Sequence, residues 1–370
     1  MEWVKGSAIG RGSFGVVNIA KPKNNSEEFP SLMAVKTSKV SDSASLQNEK
    51  LVLDQLQDSP HVIKCLGDEI EERNGKKNYN LFLEYASGGS LADKVKVSGR
   101  LPESDVRRYA RSILKGLYYI HEKGFVHCDI KLQNILLFSD GQNDVVKIAD
   151  FGLATRRRET SACQMRGTPL YMSPEILCGR EQESASDIWA FGCAVAEMVA
   201  GRPPWKWSPE SDVCSLLLKI GLGEVLPEIP YDLSSDGKDF LVKCFSKDPA
   251  KRWTAKMLLT HPFAAVDLFD QNDTVSSVGQ NGDDQARVSP RSLFDFPESI
   301  SNSTETTPSH CTFSLSEFSP ESDVSPAERL RQLAGEEPTW SSSGGWETIR
   351  SVEWFSADGL QEKLESMEFW

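Results

Sequence analysis

Glycines at positions 10, 12 and 15, followed at once by Val16-Val17-Asn18-Ile19-Ala20, fix how this chain can begin. That spacing lets a backbone approach phosphate oxygens without Cβ clashes. A dinucleotide-binding fold of the Rossmann type needs a helix straight after the third glycine. The residues found there are β-branched and alternating, so they predict strand, loop, strand. This excludes a Rossmann-type metabolic enzyme and leaves two readings, a phosphate-covering loop or a plain hairpin turn.

The pattern beyond that loop predicts strands first and helices after. Residues 4–9, 16–20, 32–37, 62–66 and 81–85 are strand-like, and Asn74-Gly75 reads as a hairpin turn. One helix interrupts them, with Ser43 or Ser45 as cap and Leu46, Leu53 and Leu56 at helical spacing. Residues 87–263 are mainly helical. Residues 101–123 carry Ile113, Leu114, Leu117, Tyr118 and Ile120, and residues 185–200 are apolar on nearly all sides, which predicts a buried helix. Short strands are expected within residues 134–151.

Charge divides the chain. Residues 1–263 hold 35 Lys and Arg against 34 Asp and Glu, a net of +1, whereas residues 264–370 hold 6 against 20, a net of −14. The overall −13 argues against nucleic acid and anionic membrane as partners. Residues 264–345 are rich in Ser, Thr, Asp, Glu, Gly and Pro without apolar period, and are expected to be a disordered acidic linker. Residues 346–370 regain aromatics at Trp346, Trp354, Phe355, Phe369 and Trp370, with Ser356 as a helix cap before Leu360, Leu364 and Met367. They read as a docking or autoinhibitory element, or as an end with chance aromatics. The eight cysteines contain no C-x-x-C pair, which argues against zinc and a disulfide framework. No signal, transit or prenylation pattern is present, so the expected location is the cytoplasm. The nucleus is second, on account of Arg156, Arg157 and Arg158.

Four further motifs decide between the readings of the glycine loop. Met33-Ala34-Val35-Lys36 lies on a strand, and Glu49 on the following helix is its candidate partner. His127-Cys128-Asp129-Ile130-Lys131-Leu132-Gln133-Asn134 precedes a short strand, Asp150-Phe151-Gly152 follows, and Ser173-Pro174-Glu175 closes the series. Singly, each has a plainer explanation; a lone strand lysine is ordinarily a solvated charge. Taken in order and at these distances, they resemble a eukaryotic protein kinase over residues 1–263.

The resemblance implies an α+β fold of two lobes: a small antiparallel sheet with one main helix over residues 1–86, and a larger helical lobe over 87–263. It implies ATP and Mg²⁺ in the cleft between them. Ile9, Gly10, Gly12, Ser13, Phe14 and Gly15 would cover the phosphates, and Lys36, held by Glu49, would grip them. Asn134 and Asp150 would hold magnesium. Asp129 would accept or orient the substrate hydroxyl proton, and Lys131 would balance charge on the transferred group. The adenine would lie between Val17 and Ala34 on one side and Leu136 on the other. Leu83 would guard the back of the slot, and backbone groups of Glu84 and Ala86 would bind the base. Glu175 and Arg252 match a buried ion pair. Residues 187–192 match a helix bracing the catalytic loop, and His127, Phe151 and Leu53 match an apolar stack.

Lys131 and Gly167-Thr168-Pro169-Leu170-Tyr171-Met172-Ser173-Pro174-Glu175 are similar to the serine/threonine form, with Thr168 bonding toward Asp129 and Lys131. The stretch looks like the MEKK-like kinases that phosphorylate MAP kinase kinases, the plant members above all. The alternatives are a STE20-like kinase with other substrates, or a pseudokinase scaffold recruiting partners through the tail. Cys128 departs from the family, which usually has an arginine there that pairs with a phosphate on the activation loop. The expectation is activity with little or no loop phosphate, or replacement by the arginines at 156–158. Thr160 and Ser161 are the candidate loop hydroxyls. Ser289, Thr307, Ser319 and Ser325, each before proline, are expected to receive feedback from a proline-directed kinase such as a MAP kinase.

Overall fold

Strand alternation organises the N-terminal part of the computed structural model, which describes residues 2–12, 15–23, 30–73, 75–139, 144–157, 166–179, 182–206 and 213–265. Ser13, Phe14, Thr160, Ser161 and everything from residue 266 on lie outside them. With that segment go the four proline-directed sites and the aromatic C-terminal stretch.

β1 (Trp3–Gly12), β2 (Gly15–Pro22) and β3 (Met33–Lys39) are followed by α1 (Ala44–Leu53), β4 (Cys65–Arg73) and β5 (Lys76–Glu84). The five strands form an antiparallel sheet in the order β1-β2-β3-β5-β4. Successive side chains point to opposite faces. Met33, Val35 and Phe82 therefore pack with Ala20 in a small outer cluster. Ala34, Leu81 and Leu83 join the main core on the other face, and the same alternation turns Lys36 that way. Arg73 pairs with Lys76, so the two strands are joined between these residues, as the hairpin reading expects.

The run at 62–66 is not a strand of its own. Val62 makes a single bridge to Ile148, Ile63 N–H donates to Ile148 O at 2.9 Å, and Ile148 N–H donates to His61 O at 2.9 Å. These apolar residues stitch the sheet to the larger lobe, and the strand proper begins at Cys65.

The larger part is helical. α2 (Leu91–Ser98) starts with a capping box, Asp93 N–H donating to Ser90 Oγ at 3.1 Å and Ser90 N–H to Asp93 Oδ2 at 3.0 Å. α3 (Glu103–Glu122) buries Val106, Tyr109, Ala110, Ile113, Leu114, Leu117 and Ile120, a stripe at helical period. Each large apolar side chain so enclosed contributes roughly 1.5–3 kcal/mol. Short antiparallel pairs follow. β6 (Phe125–Val126) pairs with β9 (Thr155–Arg156), and β7 (Ile135–Ser139) with β8 (Asp144–Ile148). α4 (Pro174–Leu177) leads to α5 (Ser184–Ala200), whose buried residues run all round from Ser186 to Val199 as its composition requires. α6 (Val213–Gly221), α7 (Ser235–Cys244) and α8 (Ala255–Leu259) close the lobe. Among the described residues no helix is long and apolar enough to cross a membrane.

Candidate active site

The register of β3 and the buried face of α1 bring three charged groups together. Lys36 Nζ donates to both Glu49 carboxylate oxygens at 2.8 Å and to Asp150 Oδ1 at 3.2 Å. Burial alone would lower the lysine pKa. The Asp150 and Glu49 carboxylates outweigh it and hold the ammonium above its usual range. Burial would likewise raise Asp150, but Lys36 and Lys131 pull it below the ordinary carboxylate range, so it is ionised at neutral pH. Glu49 is pushed up by burial against the opposing pull of Lys36. Glu49 also accepts Phe151 N–H at 3.3 Å. Asn48 Nδ2 donates to Ala154 O at 2.9 Å, and Ser45 Oγ donates to Gly152 O at 3.1 Å. These α1 contacts to residues 151–154 escaped the sequence reading, because a side chain bonding to backbone leaves no pattern of residue types.

A second constellation gathers on the loop between β6 and β7. Asp129 is 4% exposed. Its Oδ1 accepts the Thr168 hydroxyl at 2.7 Å, and its Oδ2 lies 2.9 Å from Lys131 Nζ and 3.1 Å from Asn134 Nδ2. Lys131 Nζ donates to Thr168 Oγ1 at 2.8 Å, so one hydroxyl links both charged groups. The loop rests on Asp187 at the start of α5, which accepts the N–H groups of His127 at 2.9 Å and Cys128 at 3.0 Å and pairs with His121 at 2.9 Å. Burial opposes ionisation of Asp187, and the His121 contact wins, holding its pKa down. His127 Nδ1 accepts Asp129 N–H at 3.2 Å, so Nε2 carries the proton donated to Ala149 O at 3.1 Å. Burial keeps this ring neutral, and it meets Phe151 edge-on at 4.7 Å. It packs and orients, as the apolar-stack resemblance implied.

The face expected to meet nucleotide is built from strand residues. Gly15 pairs in register with Gly12; its φ is +134, and a Cβ on it would fall 2.2 Å from Thr37 O. Only glycine fits that approach. Gly10 and Gly12 lie in β1, and Ile9 beside them is 43% exposed. Val17 sits opposite Lys36 in register and Ala34 opposite Leu83. Val17 and Leu136 are half-buried against the core, which leaves apolar edges open to a flat ring. Glu84 N–H donates to Lys64 O at 3.0 Å, so of its two backbone groups the carbonyl is the candidate base contact. Its carboxylate pairs with Lys147 at 2.7 Å, and Ala86 O accepts Gly89 N–H at 3.4 Å.

The same cleft carries oxygen groups suited to a hard cation. Asn134 Nδ2 is held by Asp129, leaving Asn134 Oδ1 buried without a hydrogen-bond partner. Asp150 is ionised, and its side chain is 24% exposed. An amide oxygen and a carboxylate fit Mg²⁺, which takes few protein ligands and completes its shell from phosphate and water. Among the described residues no three His, Cys, Asp or Glu side chains form a self-contained metal site.

Cys128 offers no cation. Burial pushes its thiol well above the usual range, and Sγ turns to Val126 O at 3.5 Å. A protonated, enclosed thiol is a poor oxidant sensor. Of the arginines at 156–158, Arg156 donates to Gln55 Oε1 at 2.6 Å and Arg157 pairs with Glu183 at 2.9 Å, while Arg158 lies outside the described residues.

Beneath the Thr168 segment, the Tyr171 hydroxyl donates to Glu197 of α5. Burial raises Glu197 to about 7, with the tyrosine bond opposing. A carboxyl whose folded pKa exceeds its unfolded value stabilises fully below about 4.5, and that contribution is lost as pH rises to 7. The loss is on the order of 2 kcal/mol, because part-exposure trims the full shift. The melting-temperature gain of Glu197→Gln over wild type is therefore expected to grow from pH 5 to pH 8. A difference that stays constant with pH contradicts the assignment.

Comparison with known proteins agrees with this geometry. The protein kinase domain family matches residues 3–264. Mitogen-activated protein kinase kinase kinase 20 of Arabidopsis thaliana is 48% identical over 95% of this chain and 100% of its own length. Mitogen-activated protein kinase kinase kinase 17 of the same plant is 45% identical, covering 71% of this chain and 69% of its own. The kinase ANP1 of that group is 38% identical over 71% of this chain and 40% of its own length. With the lysine–glutamate pair, the catalytic loop and these relatives in agreement, the chain belongs to the protein kinase family as a serine/threonine kinase of the mitogen-activated protein kinase kinase kinase group.

Proposed function

We propose that this kinase transfers the γ-phosphoryl group of MgATP to a serine or threonine in the activation segment of a mitogen-activated protein kinase kinase. The observation that carries the reading is identity of 48% along the whole of a relative named as a kinase of such kinases. The Thr168 hydroxyl joining Asp129 and Lys131 supports the chemistry.

In this reading Gly10, Gly12 and Gly15 cover the phosphates, and Lys36, fixed by Glu49, binds them. Val17, Ala34, Leu83 and Leu136 enclose the adenine, with backbone of Glu84 and Ala86 at its edge. Asn134 and Asp150 would hold Mg²⁺, which would supply positive charge to offset that of the phosphates. The substrate hydroxyl attacks γ-phosphorus, and the bond to the ADP oxygen breaks. Asp129 takes the hydroxyl proton. Lys131 balances charge on the moving group, which suits a loose transition state governed by positioning and electrostatics. Lys36, Glu49, Asp129, Asn134 and Asp150 are all in place, so a scaffold role without transfer has no support in the residues.

The test is an assay with MgATP, full-length protein and a panel of kinase-dead MAP kinase kinases beside a generic basic protein. Phosphate on an activation segment of the panel is expected. Transfer to the generic protein alone would keep the kinase and overturn the substrate class, in favour of a STE20-like enzyme.

A further inference from the structure

The catalytic loop and the substrate-side end of the activation segment meet at residue 128, where the loop itself supplies no cation and Arg166 of the segment is the cationic side chain beside it. Cys128 holds φ 69, a left-handed conformation that side chains rarely adopt. Asp187 fixes it by accepting its N–H at 3.0 Å. The thiol turns inward to Val126 and Leu153. The carbonyl meets Gly167, where a Cβ would lie 2.4 Å from Cys128 O at φ +113, so the two segments touch through backbone. Gln182, just before α5, supplies the polar link. Its Nε2 lies 3.4 Å from Cys128 O and 3.2 Å from Arg166 O. A carboxamide has two N–H donors, one for each carbonyl. Thr168, two residues beyond Arg166, is the hydroxyl that contacts Asp129 and Lys131. Cys128, Arg166, Thr168, Ser173 and Gln182 line a cavity of about 10 Å³ beside the link, room for about one water. The Ser173 hydroxyl is buried without a protein partner. Next in sequence, Glu183 takes Arg157 from the other end of the segment.

We propose that Gln182 is a positioning residue for phosphoryl transfer, clamping the substrate-side segment to the catalytic loop through two backbone carbonyls so that protein substrate is aligned on Asp129 without a loop phosphate. The proposal rests on the serine/threonine kinase reading but not on which protein is phosphorylated. The clamp consists of protein groups alone, and Gln182 bonds to the backbone carbonyls of Cys128 and Arg166.

The test uses full-length protein, treated with phosphatase and verified phosphate-free by mass before a short assay, with a generic basic protein as acceptor. Gln182→Glu keeps the side-chain length and turns both donors into acceptors facing carbonyls. Its KM for protein is expected to rise about 10-fold, with the KM for ATP within about 2-fold of wild type. Gln182→Lys restores a donor and is expected to recover most of the loss. Gln182→Met, which has no donor, carries the same prediction as glutamate should the charged variant fail to fold. An unchanged protein KM in the glutamate and methionine variants overturns the proposal. So does an equal rise in the ATP KM, or a loss that lysine shares. Phosphatase-treated wild type that has lost transfer while the untreated protein retains it overturns the phosphate-free part. Wild type that phosphorylates only the generic protein counts against the proposed substrate class and leaves the Gln182 comparison readable.

Discussion

Changing Asp150 to asparagine is expected to lower phosphoryl transfer at least about 10²–10³-fold while leaving the melting temperature within a few degrees of wild type. The size of the loss follows from charge. Lys36 and Lys131 keep the Asp150 carboxylate ionised against the cost of burial, so the cleft presents a full negative charge to a divalent cation. Asparagine keeps the shape and an acceptor for Lys36 but supplies no charge. The survival of the fold follows from two local facts. Asp150 holds φ 68, and asparagine is the non-glycine residue that tolerates the left-handed region best. Lys36 retains its bidentate partner Glu49 at 2.8 Å, so no buried ammonium is left unpaired. Alanine at the same position relieves neither the strain nor the lost contact and should cost stability as well. Activity with Mg²⁺ that is undiminished in Asp150→Asn, in protein with a wild-type melting curve, removes Asp150 from the metal site.

Why these residues could be read before the fold was known has a physical basis. Lys36, Asp129, Asn134 and Asp150 each carry chemistry that few side chains supply, and their spacing is fixed by the strands and turns that present them. Period-two alternation likewise put Ala34 and Lys36 on one face and Val35 on the other. β4 was hidden for the opposite reason. Asp68, Glu69, Glu71 and Glu72 lie on an edge strand with a wet face, and their composition resembles a loop. The apolar run at 62–66 misled because Val62 and Ile63 are buried by docking onto β8 rather than by pairing in the sheet. Asn48, Ser45 and Gln182 bond to backbone carbonyls, which any sequence provides, so nothing in the pattern of side chains marks them. The Cys128 substitution was visible, but its consequence was not. The positions of Arg166, Gly167 and Gln182 show what meets it at the junction.

Breaking the Glu175–Arg252 pair is expected to have the largest effect on stability. Arg252 has no exposed side-chain surface, and Glu175 is 6% exposed. The guanidinium donates to Glu175 Oε1 at 2.6 Å and Oε2 at 3.0 Å, to Ala185 O at 2.6 Å and to Ser246 O at 3.0 Å, and it lies 5.2 Å from the Trp189 ring. Glu175→Gln leaves that charge enclosed without its counter-ion, which costs about 3–5 kcal/mol and lowers the melting temperature by roughly 8–15 °C for a folded unit of this size. Arg252→Lys keeps the charge but loses the planar fork that serves several acceptors at once, so it should fall between wild type and Glu175→Gln. Replacing both partners by apolar residues of similar volume should cost less than either single change, since no charge then remains to be buried. The pair also bears on function. Glu175 lies in α4, directly after the segment that carries Thr168, so loosening it should raise the KM for protein substrate before it affects binding of ATP. Thermal and denaturant melts of the three variants check the order, and a Glu175→Gln protein within about 1 kcal/mol of wild type would show that solvent or a rearranged neighbour already compensates the arginine.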